Sequence, residues 1–529
     1  MTISINGRKT WQLTISPRTA TSVILIASVL ACLAASPAWA APIKLSGLFS
    51  DHMVVQAGQP LSIYGTATPG EPIGVKFAEK KAVAMTNEKG EWYATVEAVP
   101  AGGPHELNVF GGQEKVVVHD VMVGEVWLCS GQSNMLMTAK QAGLNAAADA
   151  VPADSSIRVL KVGFGLGKSP RKKLDAQWSI LDKDNAGDCA AVPLVFATEL
   201  KKKLNVPVGI IVSAAAGAPV HSWISTGALN KMPEGRSKIA GFEETYDTYT
   251  AYREQKVINQ GDKIDDVESW DREAEATFQH GLNAVPMPPA ASLYNSMIAP
   301  LVPFTIRGVL WYQGEINISR PDTYEKYLTA LMHDWRRKWK KPHLPFLFVQ
   351  LPPVGERLET PASASKAARL RDAQTKASLL PYTYMVSALD TISSSPAQWH
   401  GSNKQLIGKR LAQMALSTQY NKPMPFKGPS LDTVAVEGHK VRIRFRNATH
   451  GLTIKGDVLK GFAIAGDDKK LVWAMTQIDG DSVLVWSNTI TKPSLVTYAW
   501  ADNPDGNLYN GDNLPAIPFR TAVTHGNIQ

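Results

Sequence analysis

The sequence predicts an α/β protein, a parallel sheet with helices on both faces, with a β-rich segment before and after it in the chain. The apolar runs Val121–Cys129, Val208–Ser213, Ile306–Tyr312, Leu344–Gln350 and Tyr384–Leu389 have strand length and little polar alternation, as strands buried on both faces do. Stretches of helical period separate several of these runs, the alternation that builds a parallel sheet. At 41–119 and 427–529 the texture changes to short alternating strands and turn signals, among them Thr68-Pro69-Gly70, Glu88-Lys89-Gly90 and Gly102-Gly103-Pro104.

Taken in order, residues 1–40 have the form of a secretory leader. Arg8, Lys9 and Arg18 precede an apolar run, Val23–Leu33, and Ala38-Trp39-Ala40 offers a small-x-small cleavage site. The run is shorter than the roughly 20 residues that span a bilayer, so export to the periplasm or beyond is expected, with no membrane span once the leader is gone. Residues 41–119 then form a β-domain and 120–426 the α/β domain, with 427–529 a second β-domain. Within the α/β domain, residues 227–290 break the rhythm, being charged and carrying Pro286, Pro288 and Pro289, and are expected to form an insertion over one face. After Pro321, a favourable first helical residue, Tyr324, Tyr327, Leu328, Leu331 and Trp335 recur at helical spacing and predict a helix packed on the sheet.

With 44% hydrophobic and 19% charged residues the composition is that of an ordinary globular chain. Loss of Arg8, Lys9 and Arg18 with the leader takes the formal charge from +8 to +5. The basic clusters Lys201–Lys203 and Arg336–Lys341 fall at ends of predicted helices, where cations favour the helix dipole and face water, and no basic surface interleaved with aromatics points to nucleic acid. Of the three cysteines, Cys32 leaves with the leader; Cys129 and Cys189 could pair in an oxidising compartment or stay as buried thiols, and neither has metal-ligand spacing.

Ser133 lies in Gly131-Gln132-Ser133-Asn134-Met135, between a strand and a helix. A serine there is often only a cap, but a tight strand-to-helix turn also holds a nucleophile out of the sheet, beside helix N–H groups that favour developing negative charge. Trp311-Tyr312-Gln313-Gly314-Glu315-Ile316-Asn317 ends another strand of the same sheet, and parallel strands end on one side, so Asn317 is a candidate oxyanion donor in the crevice that holds Ser133. The small residues Ala214–Ala218 end a third strand and offer Gly217 as a further donor. Among the eleven histidines His400 is the candidate base, because it follows the last strand and precedes a helix, capped near Ser402, whose Leu406, Ile407, Leu411 and Met414 dock on the sheet.

Together these segments resemble the sialate O-acetylesterase family of the SGNH hydrolase superfamily over nearly the whole mature chain. The match includes Phe49–Gln56, Gly124–Met135, Leu293–Ile298, Leu370–Gln374, Lys404–Leu411, Asn507–Asn510 and Leu514–Arg520. The resemblance implies a flavodoxin-like α/β/α sandwich with accessory β-sandwich-like domains and a carbohydrate O-acetylesterase that needs no metal or other cofactor. It further implies Ser133 as nucleophile, His400 as base, and the Ser133 N–H, Gly217 and Asn317 as the oxyanion hole. Its substrates would be O-acetylated mono-, oligo- or polysaccharides, either sialic acid esters or acetylated plant hemicellulose such as xylan or xyloglucan. Gln132, Gln313, Trp311 and Trp399 are candidate sugar contacts, and Trp127, Trp223 and Tyr312 could extend an aromatic face.

The family usually carries an aspartate two or three residues before the histidine, where this chain has Ala397 and Gln398. Gln398, Asp390 and Glu315 are the candidates to orient His400 in its place, and the alternative is a Ser-His pair without a third member. The segment after the third strand is also altered, Ala215-Ala216-Gly217-Ala218 standing where the family is bulkier and richer in glycine. Two competing readings follow: a non-catalytic glycan-binding protein on a decayed scaffold, and a lipid or aryl esterase, whose crevice would be aliphatic rather than polar and aromatic.

Overall fold

The computed structural model describes residues 41–524 except 145–150, 155, 262–268, 271, 274–275, 277–279, 281–284, 392–399 and 401–402. The expected leader therefore lies outside the described residues. The central sheet contains β1 (Glu114–Gly131), β2 (Ile157–Lys161), β3 (Trp178–Ile180), β4 (Val208–Ala214), β5 (Gly308–Tyr312), β6 (Phe346–Gln350) and β7 (Thr383–Ser387). Across the sheet they lie in the order β3-β2-β4-β1-β5-β6-β7, all parallel except β3 against β2. The two strands β2 and β3 were not expected from the sequence.

The period of two along each strand assigns its side chains to two faces. Val126, Leu128, Val309, Trp311, Phe346 and Phe348 point into one core, with α4 (Tyr324–Lys338) and α5 (Lys366–Ala377). Trp127, Cys129, Leu310, Tyr312, Leu347 and Val349 point into the other, with α2 (Ala191–Leu204) and α6 (Lys404–Gln419). This is the expected three-layer sandwich. In α4 the residues Tyr324, Tyr327, Leu328, Leu331 and Trp335 are all buried, as their spacing requires. In α6 Ile407, Leu411 and Met414 are buried while Leu406 is only half covered. Helices α2 and α6 approach closely: a Cβ on Gly408 would stand 2.6 Å from Val195 Cβ. Cys129 and Cys189 are free buried thiols, so the pairing that an oxidising compartment would allow is not made.

Strand β1 is longer than its apolar run because it serves two modules. Its first half pairs antiparallel with Gly102–Gly111 of the N-terminal β-domain, and its second half enters the parallel sheet. Val54–Gln56 adds a short parallel strand against Met122–Gly124, so the expected boundary at 119/120 falls inside one continuous strand.

Beyond α6, the strands Ser430–Glu437, Lys440–Arg446, Met475–Asp479 and Ser482–Trp486 form one antiparallel sheet, and Phe462–Ala465, Val472–Trp473, Leu495–Tyr498 and Phe519–Ala522 another. They enclose a core of Ile443, Val483, Phe462, Tyr498 and Phe519. This domain is anchored at the carboxyl ends of β6 and β7. The fully buried Arg371 of α5 donates to the carbonyls of Leu351 and Pro352, just past β6, and to those of Ala501 and Asp502. The Asp502 carboxylate accepts from Ser365 Oγ (2.6 Å) and the Ala367 N–H (2.9 Å), so it helps cap α5 from another domain.

The described part of the insertion is mainly helical: Thr226–Leu229, Pro233–Ala240 and α3 (Phe242–Gln260). Among the described residues no helix is long and apolar enough to cross a membrane.

Candidate active site

Strand β1 lies where the chain order reverses, between β4 and β5, and in an open α/β sheet the crevice for ligands forms beyond the carboxyl ends at that point. The register aligns the three ends: Gly131 pairs with Ala214 on one side and Tyr312 on the other. Gly131 has φ +139, and a Cβ there would stand 2.1 Å from the Tyr312 carbonyl oxygen, so only glycine turns the chain at this point. The turn delivers Ser133 to the first position of the short helix α1 (Ser133–Leu136), where its N–H has no intrahelical acceptor.

His400 comes from the loop between β7 and α6. Its Nε2 lies 2.6 Å from Ser133 Oγ, and both side chains are buried. The helix behind it is capped by Asn403, whose Oδ1 accepts from the Leu406 N–H at 2.9 Å, one residue beyond the expected cap; Ser402 itself lies outside the described residues.

Asn317 and the segment Ala215–Ala218 are joined through Gln313. The Asn317 Oδ1 accepts from the Val220 N–H (3.1 Å) and from Gln313 Nε2 (2.7 Å), which leaves its NH2 end to donate. Gln313 also donates to the Ala218 carbonyl at 3.2 Å, and its Oε1 accepts from Tyr324 OH at 2.8 Å. Gln313 is thus a buried strut rather than a sugar contact. Gln132 is a second strut, its Oε1 accepting from the Gly314 N–H at 3.2 Å. Gly217 follows β4 in a left-handed conformation, φ +62.

The aromatic face expected from the sequence is not at the crevice. Trp127, Trp223 and Trp311 are 0% exposed and Tyr312 1%, because they sit on or against strands covered on both sides. Trp311 meets Trp223 and Trp335 edge to face at 6.2 and 6.0 Å, a core arrangement. Trp399 and Gln398 lie outside the described residues. Among the described residues, Trp270 of the insertion reaches the Ser133–His400 pair, its ring centred 5.8 Å from the His400 ring. Sequence reasoning missed it, although a lone tryptophan in the charged stretch Asp265–Glu275 is an available signal. Glu273, from the same segment, accepts from Tyr252 OH (2.8 Å) and Lys256 Nζ, and its Oε2 would lie 3.1 Å from a Cβ on Gly217.

The two candidate carboxylates have different surroundings. Asp390 is not joined to His400: its two oxygens accept from Arg410 of α6 at 2.7 and 2.8 Å, with Tyr509 OH of the C-terminal domain at 3.3 Å. Asp390 lies three residues past β7, in the turn that follows, and the sequence could not show a buried guanidinium on the facing helix. Burial pushes this carboxyl up, but the hydrogen bonds and charge of Arg410 hold it below the usual range. A depressed carboxylate stabilises the fold fully above its unfolded value, about 3.9, and loses that contribution as pH falls through the lower folded value. Asp390→Asn is therefore expected to cost about 3 kcal/mol at neutral pH by leaving Arg410 buried without its partner. In urea unfolding the gap to the parent should narrow below about pH 4.

Glu315 is buried and joined to Asn134, the residue after Ser133. Its Oε1 accepts from Asn134 Nδ2, the Asn134 Oδ1 accepts from the buried Lys404 Nζ, and the Lys404 ammonium stands 5.3 Å from the centre of the Tyr312 ring. The Glu315 Oε2 is buried without a hydrogen-bond partner. Burial raises the Glu315 carboxyl above its ordinary range, opposed by its own backbone N–H, then by the charge of His400, the Asn134 hydrogen bond and the charge of Lys404. A buried carboxylate that feels the imidazole electrostatically thus faces the site without touching it.

The chain is similar to proteins already described. A family model described as carbohydrate esterase, sialic acid-specific acetylesterase, matches residues 263–417. The sialate O-acetylesterase of Rattus norvegicus is 28% identical over 92% of this chain and 95% of its own length. That of Homo sapiens is 29% identical over 75% of each chain. The crystal structure of a carbohydrate acetylesterase from Xanthomonas citri is 32% identical and superposes with a TM-score of 0.76, covering 91% of this chain and 99% of that one. This chain is a carbohydrate esterase and belongs to the sialate O-acetylesterase family.

Proposed function

We propose that the chain hydrolyses acetyl esters on sugar hydroxyls through an acetyl-enzyme on Ser133. The observation that carries this reading is the 2.6 Å contact between Ser133 Oγ and His400 Nε2, a nucleophile and base already within proton-transfer reach. His400 takes the hydroxyl proton as Oγ attacks the acetyl carbonyl. The resulting oxyanion accepts from the N–H groups of Ser133 and Gly217 and from the Asn317 NH2, whose direction is set by the bonds to its oxygen. Collapse breaks the bond to the sugar oxygen, which leaves with the proton from His400. A water then gives its proton to His400, attacks the acetyl group, and releases acetate with Ser133 restored.

Residues 1–40 support export before the enzyme meets its substrate. The intact Ser133–His400 contact weighs against a decayed, purely binding scaffold. The test is acetate release by the full chain from O-acetylated sialic acid and, in parallel, from acetylated xylan and xyloglucan. Release that stops when a phosphonate ester labels Ser133 is the expected result. A folded chain that binds these glycans and frees no acetate would instead establish the binding reading.

A further inference from the structure

The loop that leaves β6 at Gln350, on the crevice side of the sheet, meets the C-terminal β-domain and leaves a cleft of about 210 Å³ between them. Its walls include Arg357 and Glu359 of the loop and Trp473, Trp500, Asn503 and Asp505 of the domain. Trp473 is 47% exposed, unusual for so large an apolar side chain, yet its ring is held in place by Nε1 donating to the Glu359 carbonyl at 2.7 Å. Asn503 is also fixed, its Nδ2 donating to the Gly355 carbonyl at 2.7 Å.

The charges narrow the ligand. Arg357 of the wall and Lys460, which lies outside the lining, are both paired with Asp505, at 2.9 and 3.3 Å, and Glu359 adds a further carboxylate. A sugar carboxylate would find acidic groups and already paired cations. A neutral sugar would find an indole for its C–H face and carboxylate and amide oxygens for its hydroxyls. The volume is below the ~300–1,000 Å³ of a pocket that holds a whole drug-sized ligand, and suits one ring of a longer chain.

We propose that this cleft is a second glycan subsite, binding a neutral pyranose unit of an oligosaccharide whose acetylated unit is presented to Ser133. It deepens the acetylesterase reading and rests on it, because it assigns the substrate to neutral oligosaccharides rather than to sialic acid esters. It also gives the C-terminal domain a function: through Arg371, Asp502 and the Asp390 contact that domain is fixed to the carboxyl ends of β6 and β7, where it can guide a chain that extends out of the crevice.

The test uses the full chain carrying Ser133→Ala, so that binding is read without turnover. Calorimetric titrations with deacetylated oligosaccharides of xylan and xyloglucan are compared with sialyllactose, and repeated after adding Trp473→Ala or, separately, Trp500→Ala. Saturable binding of a neutral oligosaccharide, weakened about tenfold or more by either tryptophan change in a chain of unaltered melting temperature, is the expected result. The proposal is overturned if sialyllactose binds as tightly as the neutral glycans, or if neutral glycans fail to bind or bind equally well to both folded tryptophan variants. Hydrolysis of 4-nitrophenyl acetate by the unmodified chain is read separately: its absence would strike at the catalytic reading, whereas its presence with no glycan binding would remove the subsite alone.

Discussion

Alanine at Ser133 is expected to lower kcat/KM for an acetylated sugar by about 10⁴-fold or more, alanine at His400 by a similar factor, and the double variant by no more than the worse of the two. In the proposed reaction the two side chains act as one, Oγ attacking as Nε2 takes its proton, and they stand in hydrogen-bond contact at 2.6 Å. Without His400 the hydroxyl is a weak nucleophile at neutral pH; without Ser133 there is no atom to acylate. What remains in each case is ground-state binding and the oxyanion donors, held by other parts of the chain, the Asn317 amide by Gln313 and the Val220 N–H. Steady-state kinetics on an acetylated oligosaccharide, with a rapid-mixing burst on 4-nitrophenyl acetate, would measure both terms. A His400→Ala chain that kept activity within tenfold of the parent would mean that another group takes the proton. Additive losses in the double variant would mean that the two residues act independently.

The meeting of Ser133 with His400 was legible because parallel-sheet geometry is strongly encoded. Buried strands such as Val208–Ala214 and Phe346–Gln350 announce themselves as apolar runs, their carboxyl ends share one side, and Ser133, Gly217 and Asn317 each follow such an end. The bond of Ser133 to His400, 267 residues away, could be inferred only from the position of His400 after the last strand and from the family resemblance. The roles of individual polar and aromatic side chains were less legible, since these depend on neighbours distant in the chain. Trp311 and Gln313 sit beside the site in sequence, yet one is buried by strand alternation and the other is used as a strut. Asp390 ends the expected strand, but Arg410, a further 20 residues on, takes its charge. Trp270 belongs to a charged, non-periodic insertion, where local pattern carries no information about which face it will cover.

Glu315→Gln is expected to lower kcat by about 100-fold, with a much smaller change in KM, the size of effect seen when one preorganised electrostatic group is removed from a transition state. During attack His400 becomes an imidazolium in a buried site; Ala397 and Gln398 precede it in the sequence, and among the described residues Glu315 places a buried carboxylate charge nearby. The glutamine keeps the shape and the bond to Asn134 but removes that charge, which faces Lys404 across Asn134. Because burial raises this carboxyl, ionising it in the folded state works against stability: the fold benefits below the unfolded value of about 4.3 and loses that benefit as pH rises through the raised value. The glutamine chain should therefore unfold at least as hard as the parent at neutral pH while catalysing worse, a local conflict between stability and function. Its acid limb should also simplify, since in the parent Glu315 must ionise, above the ordinary carboxylate range, before the imidazolium gains a counter-charge. Profiles of kcat against pH for both chains, with denaturant midpoints at each pH, carry the test. A glutamine chain with kcat within threefold of the parent and an unchanged acid limb would show that His400 works as a base without this carboxylate.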